Sequence, residues 1–127
     1  MLDSSRAFNS FAVNDTQRAR EFYSDVLGVE VEAIEPEMGL LMLHLPGDQQ
    51  TMIYEKPDFE PATYTVLNFQ VDDVEATVDQ LVNAGLQMER YDGFDQDDKG
   101  IASGPGPGRI AWFKDPAGNI LAVLEQR

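Results

Sequence analysis

The amino-acid sequence predicts an α+β chain built from two copies of one strand–helix–strands module. The phrase Phe11-Ala12-Val13-Asn14-Asp15 returns 58 residues later as Phe69-Gln70-Val71-Asp72-Asp73. Each time an alternating apolar run reaches an Asp, a helical pattern follows, and a glycine stops it: Gly28 in the first half, Gly85 in the second. Neither copy is long enough to bury its apolar face alone, so the 127 residues are expected to form one domain. Module one is expected over 6–56, a linker over 57–62 and module two over 63–127.

Each element has a local reason. Ala7 to Val13 alternates apolar and polar residues and reads as a strand. The Asp15 carboxylate can accept from the free N–H groups of a first helical turn. Thr16 to Leu27 then places Ala19, Phe22, Tyr23, Val26 and Leu27 at helical spacing, and Gly28 ends the helix. Val29 to Ile34, Leu40 to Leu45 and Thr51 to Glu55 read as strands, the last two joined by Pro46-Gly47-Asp48-Gln49. In module two, Tyr64 to Val71 is the opening strand. Asp73 caps a helix over Val74 to Ala84, with Val74, Val78, Leu81 and Val82 on one face. Leu86 to Tyr91 reads as a further strand. Asp92 to Gly108 is an irregular segment holding five Gly, two Pro and four Asp. Its length and glycine content suit a flap or an idle acidic loop equally. Arg109 to Lys114 and Asn119 to Glu125 form a closing hairpin across Asp115-Pro116-Ala117-Gly118.

Composition narrows the function. The formal net charge is -14, with 23 acidic against 9 basic residues. Nucleic-acid binding is disfavoured, because it requires Lys and Arg to neutralise phosphates. A neutral or cationic ligand is favoured. The absence of cysteine excludes disulfides, thiolate metal sites and a Cys nucleophile. No apolar run approaches the roughly 20 residues that cross a bilayer, and the first residues do not read as a secretory signal. A cytoplasmic location without membrane contact is expected.

Three motifs carry a resemblance: Phe11 to Asp15 with Ala19-Arg20-Glu21-Phe22-Tyr23 and Val26-Leu27-Gly28; Phe69 to Asp73 with Ala84-Gly85; and Ala111-Trp112-Phe113-Lys114-Asp115-Pro116-Ala117-Gly118-Asn119. In these the chain resembles the vicinal oxygen chelate superfamily of glyoxalase I, bleomycin- and fosfomycin-resistance proteins and extradiol dioxygenases. The resemblance implies two βαβββ modules forming a curled mixed sheet around a cleft. In metal-dependent members, the first and last strands of each module present His, Gln or Glu to a divalent ion, which holds two neighbouring substrate oxygens. Counted from the shared motifs, those positions fall on Phe8, Val66 and Ala122, with Thr51 as the candidate for the remaining one and Glu55 near it. Phe, Val and Ala have no lone pair for a metal. No metal, no cofactor and no catalytic residue is therefore assigned.

Strand parity supplies a ligand site instead. If Phe8 and Val66 face the cleft, so do Ser10 and Ala12 on one strand and Asn68 and Gln70 on another, while Phe11, Val13, Leu67 and Phe69 face the helices. Met42 and His44 are preferred to Leu41 and Leu43 on the third strand, Ala122 lies on the fourth, and Tyr54 and Trp112 are aromatic walls. The expected ligand-binding set is Phe8, Ser10, Met42, His44, Tyr54, Val66, Asn68, Gln70, Trp112 and Ala122. Arg109 either meets a ligand anion or lies at the surface. Asp95 to Gly100 has a faint likeness to a calcium loop, but Lys99 holds its fifth position and no Glu follows at the twelfth.

The function expected is metal-free binding of a small aromatic or cationic molecule, in the manner of the drug-binding members, by a homodimer. The rival is a lyase, isomerase or dioxygenase holding a divalent metal through non-standard ligands. A third reading is an interaction module with no small-molecule ligand.

Overall fold

The structure is a computed structural model that describes residues 1–104 and 108–125. The chain forms two compact units, Met1–Glu60 and Pro61–Arg127. Unit one contains β1 (Asn9–Val13), α1 (Thr16–Glu21), β2 (Glu30–Glu35), β3 (Leu40–Leu45) and β4 (Gln49–Glu55). Its sheet runs β1-β4-β3-β2, with β1 parallel to β4 and the other pairs antiparallel. Unit two contains β5 (Thr65–Gln70), α2 (Val74–Asn83), β6 (Ala102–Ser103), β7 (Arg109–Lys114) and β8 (Ile120–Glu125). Its sheet runs β5-β8-β7-β6, again with one parallel pair, β5 and β8. Both units are thus βαβββ with the same strand order. Among the described residues no helix is long and apolar enough to cross a membrane.

The capping chemistry expected from the repeat is present twice. The Asp15 side chain accepts from Arg18 N–H at 3.1 Å, and that of Asp73 from Ala76 N–H at 3.0 Å. Gly28 and Gly85 end the two helical segments at φ 75° and 96°, where a side chain would be strained. Each helix covers one face of its sheet. Phe11, Val13, Leu41, Leu43, Thr51 and Ile53 are buried on that face in unit one, as are Leu67, Ala111, Phe113, Leu121 and Val123 in unit two.

Four expectations give way. The first helix is α only to Glu21; Phe22–Val26 is a π turn, with Leu27 N–H donating to Phe22 O at 3.0 Å. The wider turn seats Phe22 and Tyr23 in the core and rotates Val26 off it, so Val26 is exposed. Val82 is exposed too, lying past the edge of the α2 stripe made by Val74, Val78 and Leu81. Leu86 to Tyr91 is not a strand. Its backbone gives β7 a single bond, Glu89 N–H to Trp112 O at 2.8 Å. The Gln96 side chain takes the groups a ladder would have used: Oε1 accepts from Tyr91 N–H, and Nε2 donates to Glu89 O and Gly100 O, at 2.8–2.9 Å. The edge strand is instead the two-residue β6. Finally, the flap reading of 92–108 is replaced, for its first half, by a loop tied down through Gln96. Pro105 to Pro107 lie outside the described residues.

Candidate functional site

The face of each sheet opposite its helix is the candidate site. Period-2 alternation and the observed register decide what stands there. In unit one, Ser10 pairs with Met52, Met52 with Met42, Ala12 with Tyr54, Tyr54 with Leu40, and His44 with Gln50. Ser10, Met42, His44 and Tyr54 therefore share one patch, and Met52 stands at its centre. Phe8 precedes β1 and is exposed. On β2, Glu30 and Glu32 are the cross-strand partners of His44 and Met42.

Hydrogen bonding fixes the imidazole of His44. Its Nε2 lies 2.8 Å from Glu32 Oε1, and its Nδ1 lies 3.3 Å from Gln50 Nε2. With Gln50 donating to Nδ1, Nε2 carries the proton and donates to Glu32. Strands β1–β4 hold no Lys or Arg. The patch is thus thioether and phenol beside carboxylates.

In unit two, Asn68 pairs with Ala122, Gln70 with Leu124, and Ala122 with Trp112. Asn68 and Gln70 are exposed, and their amides have no partner among the described residues. Val66 is half-buried and is the extra residue of a bulge between Thr65 and Leu67, so strand parity does not assign its face. Ala122 is fully buried and Trp112 is 7% exposed, because they form a small cluster with Ala102 against which Tyr91, Ile110 and Ile120 pack. Ala122 thus has no surface of its own to offer a ligand. Phe94 lies on Trp112 at a ring-centroid distance of 4.8 Å.

The donor set does not fit the superfamily's metal. Phe8, Val66 and Ala122 are hydrocarbon. Thr51 faces the helix rather than the open face, is fully buried, and its hydroxyl donates to Asn9 Oδ1 at 2.7 Å. Among the described residues no three His, Asp or Glu side chains are grouped to hold an ion. The likeness of 95–100 to a calcium loop dissolves as well: Asp97 Oδ1 accepts from the Lys99 and Ile101 N–H groups, and Gln96 points at backbone.

Two acidic residues that sequence alone left without a task act as helix caps. Glu55, at the end of β4, accepts from Thr16 N–H at 3.0 Å and from the Thr16 hydroxyl. Glu125, at the end of β8, accepts from Val74 N–H at 2.8 Å and from Arg109 Nε at 2.9 Å. Each last strand thus covers the first N–H of its module's helix. Arg109 accordingly lies on the helix side, held by Glu125 and by Glu75 at 3.9 Å, and is not placed to meet an anion on the open face.

The proton affinities of Tyr91 and Lys99, both in unit two, are displaced upward. Burial raises that of the Tyr91 phenol, with repulsion from Glu89 adding to it. Hydrogen bonds to Asp79 and Glu75 raise that of the Lys99 ammonium. In both cases the folded state holds its proton longer than the unfolded chain. Stability is complete below the unfolded values, roughly 10 for both, and is lost as pH climbs through the folded ones. A melting temperature that declines above about pH 10, less steeply in Tyr91→Phe, is the expected outcome of thermal scans.

Sequence reasoning missed Met52, Gln50, Glu32, Tyr91 and Phe94. Met52 was legible, since it sits two residues from Tyr54. Glu32 and Gln50 needed the strand register, and Tyr91 and Phe94 needed the loop conformation.

The model of the Glyoxalase/Bleomycin resistance protein/Dioxygenase superfamily matches residues 7–123. The uncharacterized protein YraH of Bacillus subtilis (strain 168) is 26% identical, the match covering 89% of this chain and 91% of YraH. TnmS3, an antibiotic binding protein from Streptomyces sp. CB03234, superposes with a TM-score of 0.70 at 25% identity over 98% of both chains. FosX, the fosfomycin resistance protein of Listeria monocytogenes, superposes with a TM-score of 0.69 at 17% identity, covering 94% of this chain and 89% of FosX. Repeated βαβββ units, repeated caps and a family match across nearly the whole length agree: the chain belongs to the glyoxalase/bleomycin resistance protein/dioxygenase superfamily.

Proposed function

We propose that this protein binds a small aromatic or cationic molecule on the open faces of its sheets, without a metal, and acts by sequestration. The observation that carries the reading is the unit-one patch: Met42, Met52 and Tyr54 bordered by Glu30 and Glu32, on strands with no Lys or Arg. Thioethers are flexible and polarizable and adapt to flat apolar surfaces. A phenol ring attracts a cation over its face, and two carboxylates at the rim favour the same charge. In unit two, the exposed amides of Asn68 and Gln70 offer donors and acceptors that fix orientation. The likeness to TnmS3, an antibiotic binding protein, points the same way. Phe8 belongs to the proposed surface of unit one, and Val66 and Trp112 to that of unit two. A homodimer is part of the proposal; light scattering that finds only a 14.2 kDa species would remove it.

Thermal-shift screening of flat cationic aromatics, with and without EDTA, tests this. Binding at a hundredfold excess over Kd stabilises by about 2.7 kcal/mol, so hits are expected to raise the melting temperature by several degrees, equally in both conditions. Asn68→Ala combined with Gln70→Ala is expected to weaken a hit without lowering the melting temperature of the free protein. Shifts that appear only when zinc, nickel, manganese or iron is added would instead support a metal-dependent lyase, isomerase or dioxygenase.

A further inference from the structure

The hydroxyl oxygen of Tyr91 is buried and has no hydrogen-bond partner among the described residues. Native structures leave few such groups, and each calls for an explanation. Its surroundings are specific. The Tyr91 ring meets Trp112 nearly at right angles, centroids 5.5 Å apart with 78° between planes, so the two rings form a corner on the open side of β7. Ile110 and Ile120 pack beside them. Phe94 lies on the same indole, tilted 55°, and is the reverse of Tyr91: a purely apolar ring left 55% exposed. The loop carrying Phe94 is tied through Gln96, two residues on.

An orphaned buried donor on one ring and a half-solvated second ring, both in contact with the same indole, have one explanation in common. We propose that Tyr91, Phe94 and Trp112 form a receptor for a neutral, planar aromatic molecule bearing a hydrogen-bond acceptor such as a ketone carbonyl. The ligand's ring takes the place of Phe94 against Trp112, and its oxygen accepts from the Tyr91 hydroxyl. Phe94 is then a placeholder that keeps the indole dry until it is displaced. Burial and the Glu89 charge both hold the phenol protonated, hence a donor, at neutral pH. The same Glu89 charge disfavours an anionic ligand. This inference rests on the reading that the open faces take small molecules, and it names the chemistry of one of them.

The chain has a single tryptophan, so the one indole N–H cross-peak of a 15N-labelled sample reports on this corner alone. The probes are 9-fluorenone and fluorene, which share a ring frame and differ by the carbonyl. In the wild-type protein both are expected to move that peak, fluorenone binding about tenfold more tightly, the worth of one net hydrogen bond. Tyr91→Phe is expected to erase that preference while melting no lower than wild type. Phe94→Ala, which removes an exposed side chain, is expected to tighten both probes several-fold. Equal wild-type affinities, a preference that survives Tyr91→Phe, or a Phe94→Ala protein that binds no better would each overturn the proposal. So would an indole peak that neither probe moves in any of the three proteins. The wider binding reading fails separately, through flat cationic compounds that leave the Met42 and Met52 methyl signals unmoved.

Discussion

Replacing Glu125 by alanine is expected to cost about 3 kcal/mol. Glu125 is 3% exposed and works in two directions. One oxygen accepts from Val74 N–H, the first of α2, which has no partner inside its own helix. The other accepts from Arg109. Its negative charge also lies at the positive end of the helix. Truncation takes from Arg109 the nearer of its two carboxylates, leaving Glu75, and orphans the buried Val74 N–H; a buried donor left without its acceptor costs about 1–3 kcal/mol, toward the upper end where the acceptor was charged. Glu55 performs the same task for α1 but stands exposed to water. Glu55→Ala is therefore expected to cost only about 1 kcal/mol, the ordinary worth of a cap. Denaturant midpoints at constant slope give both values. Equal losses at the two positions would show that burial does not set the difference.

The second large effect is expected at the β7–β8 hairpin, where Asp115→Ala should cost about 3 kcal/mol. Asp115 is 5% exposed, and its carboxylate organises the whole turn. Oδ1 accepts from Ala117 N–H at 3.0 Å and Asn119 N–H at 2.9 Å, and Oδ2 accepts from the buried Asn119 amide at 3.2 Å. The backbone closes beneath it, with Asp115 N–H donating to Asn119 O and Gly118 N–H to Asp115 O. Gly118 takes φ 93°, so the turn admits few other residues there. β7 and β8 are the two inner strands of the unit-two sheet, which spreads a fault at this turn to every neighbour. Alanine takes the carboxylate away from three donors, two on the backbone and one on Asn119. Asp115→Asn keeps the shape and one acceptor, so its loss is expected to be about half as large in the same denaturant series.

The parts of this fold that were legible in the chain are those set by short-range chemistry. Asp15 and Asp73 announced both helices because an N-cap needs only a nearby side-chain oxygen. The alternation in β1, β3, β5 and β8 assigned inner and outer faces because strand period admits two choices and the helix takes the apolar one. That reasoning put Met42 and His44, rather than Leu41 and Leu43, on the open side, where the structure has them. What stayed hidden depended on partners distant in sequence. Thr51 was misplaced because its face follows from pairing with β1 and β3. Glu125 and Glu55 meet helices 51 and 39 residues away. The strand expected over 86–91 failed because one side chain, Gln96, outbid β7 for its backbone. The π turn was invisible because an inserted residue leaves the apolar count unchanged and alters only its phase. The open-face patch was therefore half legible: parity could name Ser10, Met42, His44 and Tyr54, but not the glutamates that border them.

The central claim is that a small molecule lodges on the open sheet faces with no metal between. It is tested most directly by the methyl spectrum of a 13C-methionine-labelled sample, saturated with a screening hit and recorded with and without EDTA. The five methionines include two on the unit-one patch, Met42 and Met52, and three off it, Met1, Met38 and Met88. The expected result is that Met42 and Met52 shift together while the others hold, identically in both samples. Shifts confined to Met1, Met38 or Met88, or shifts that vanish with the chelator, would contradict it.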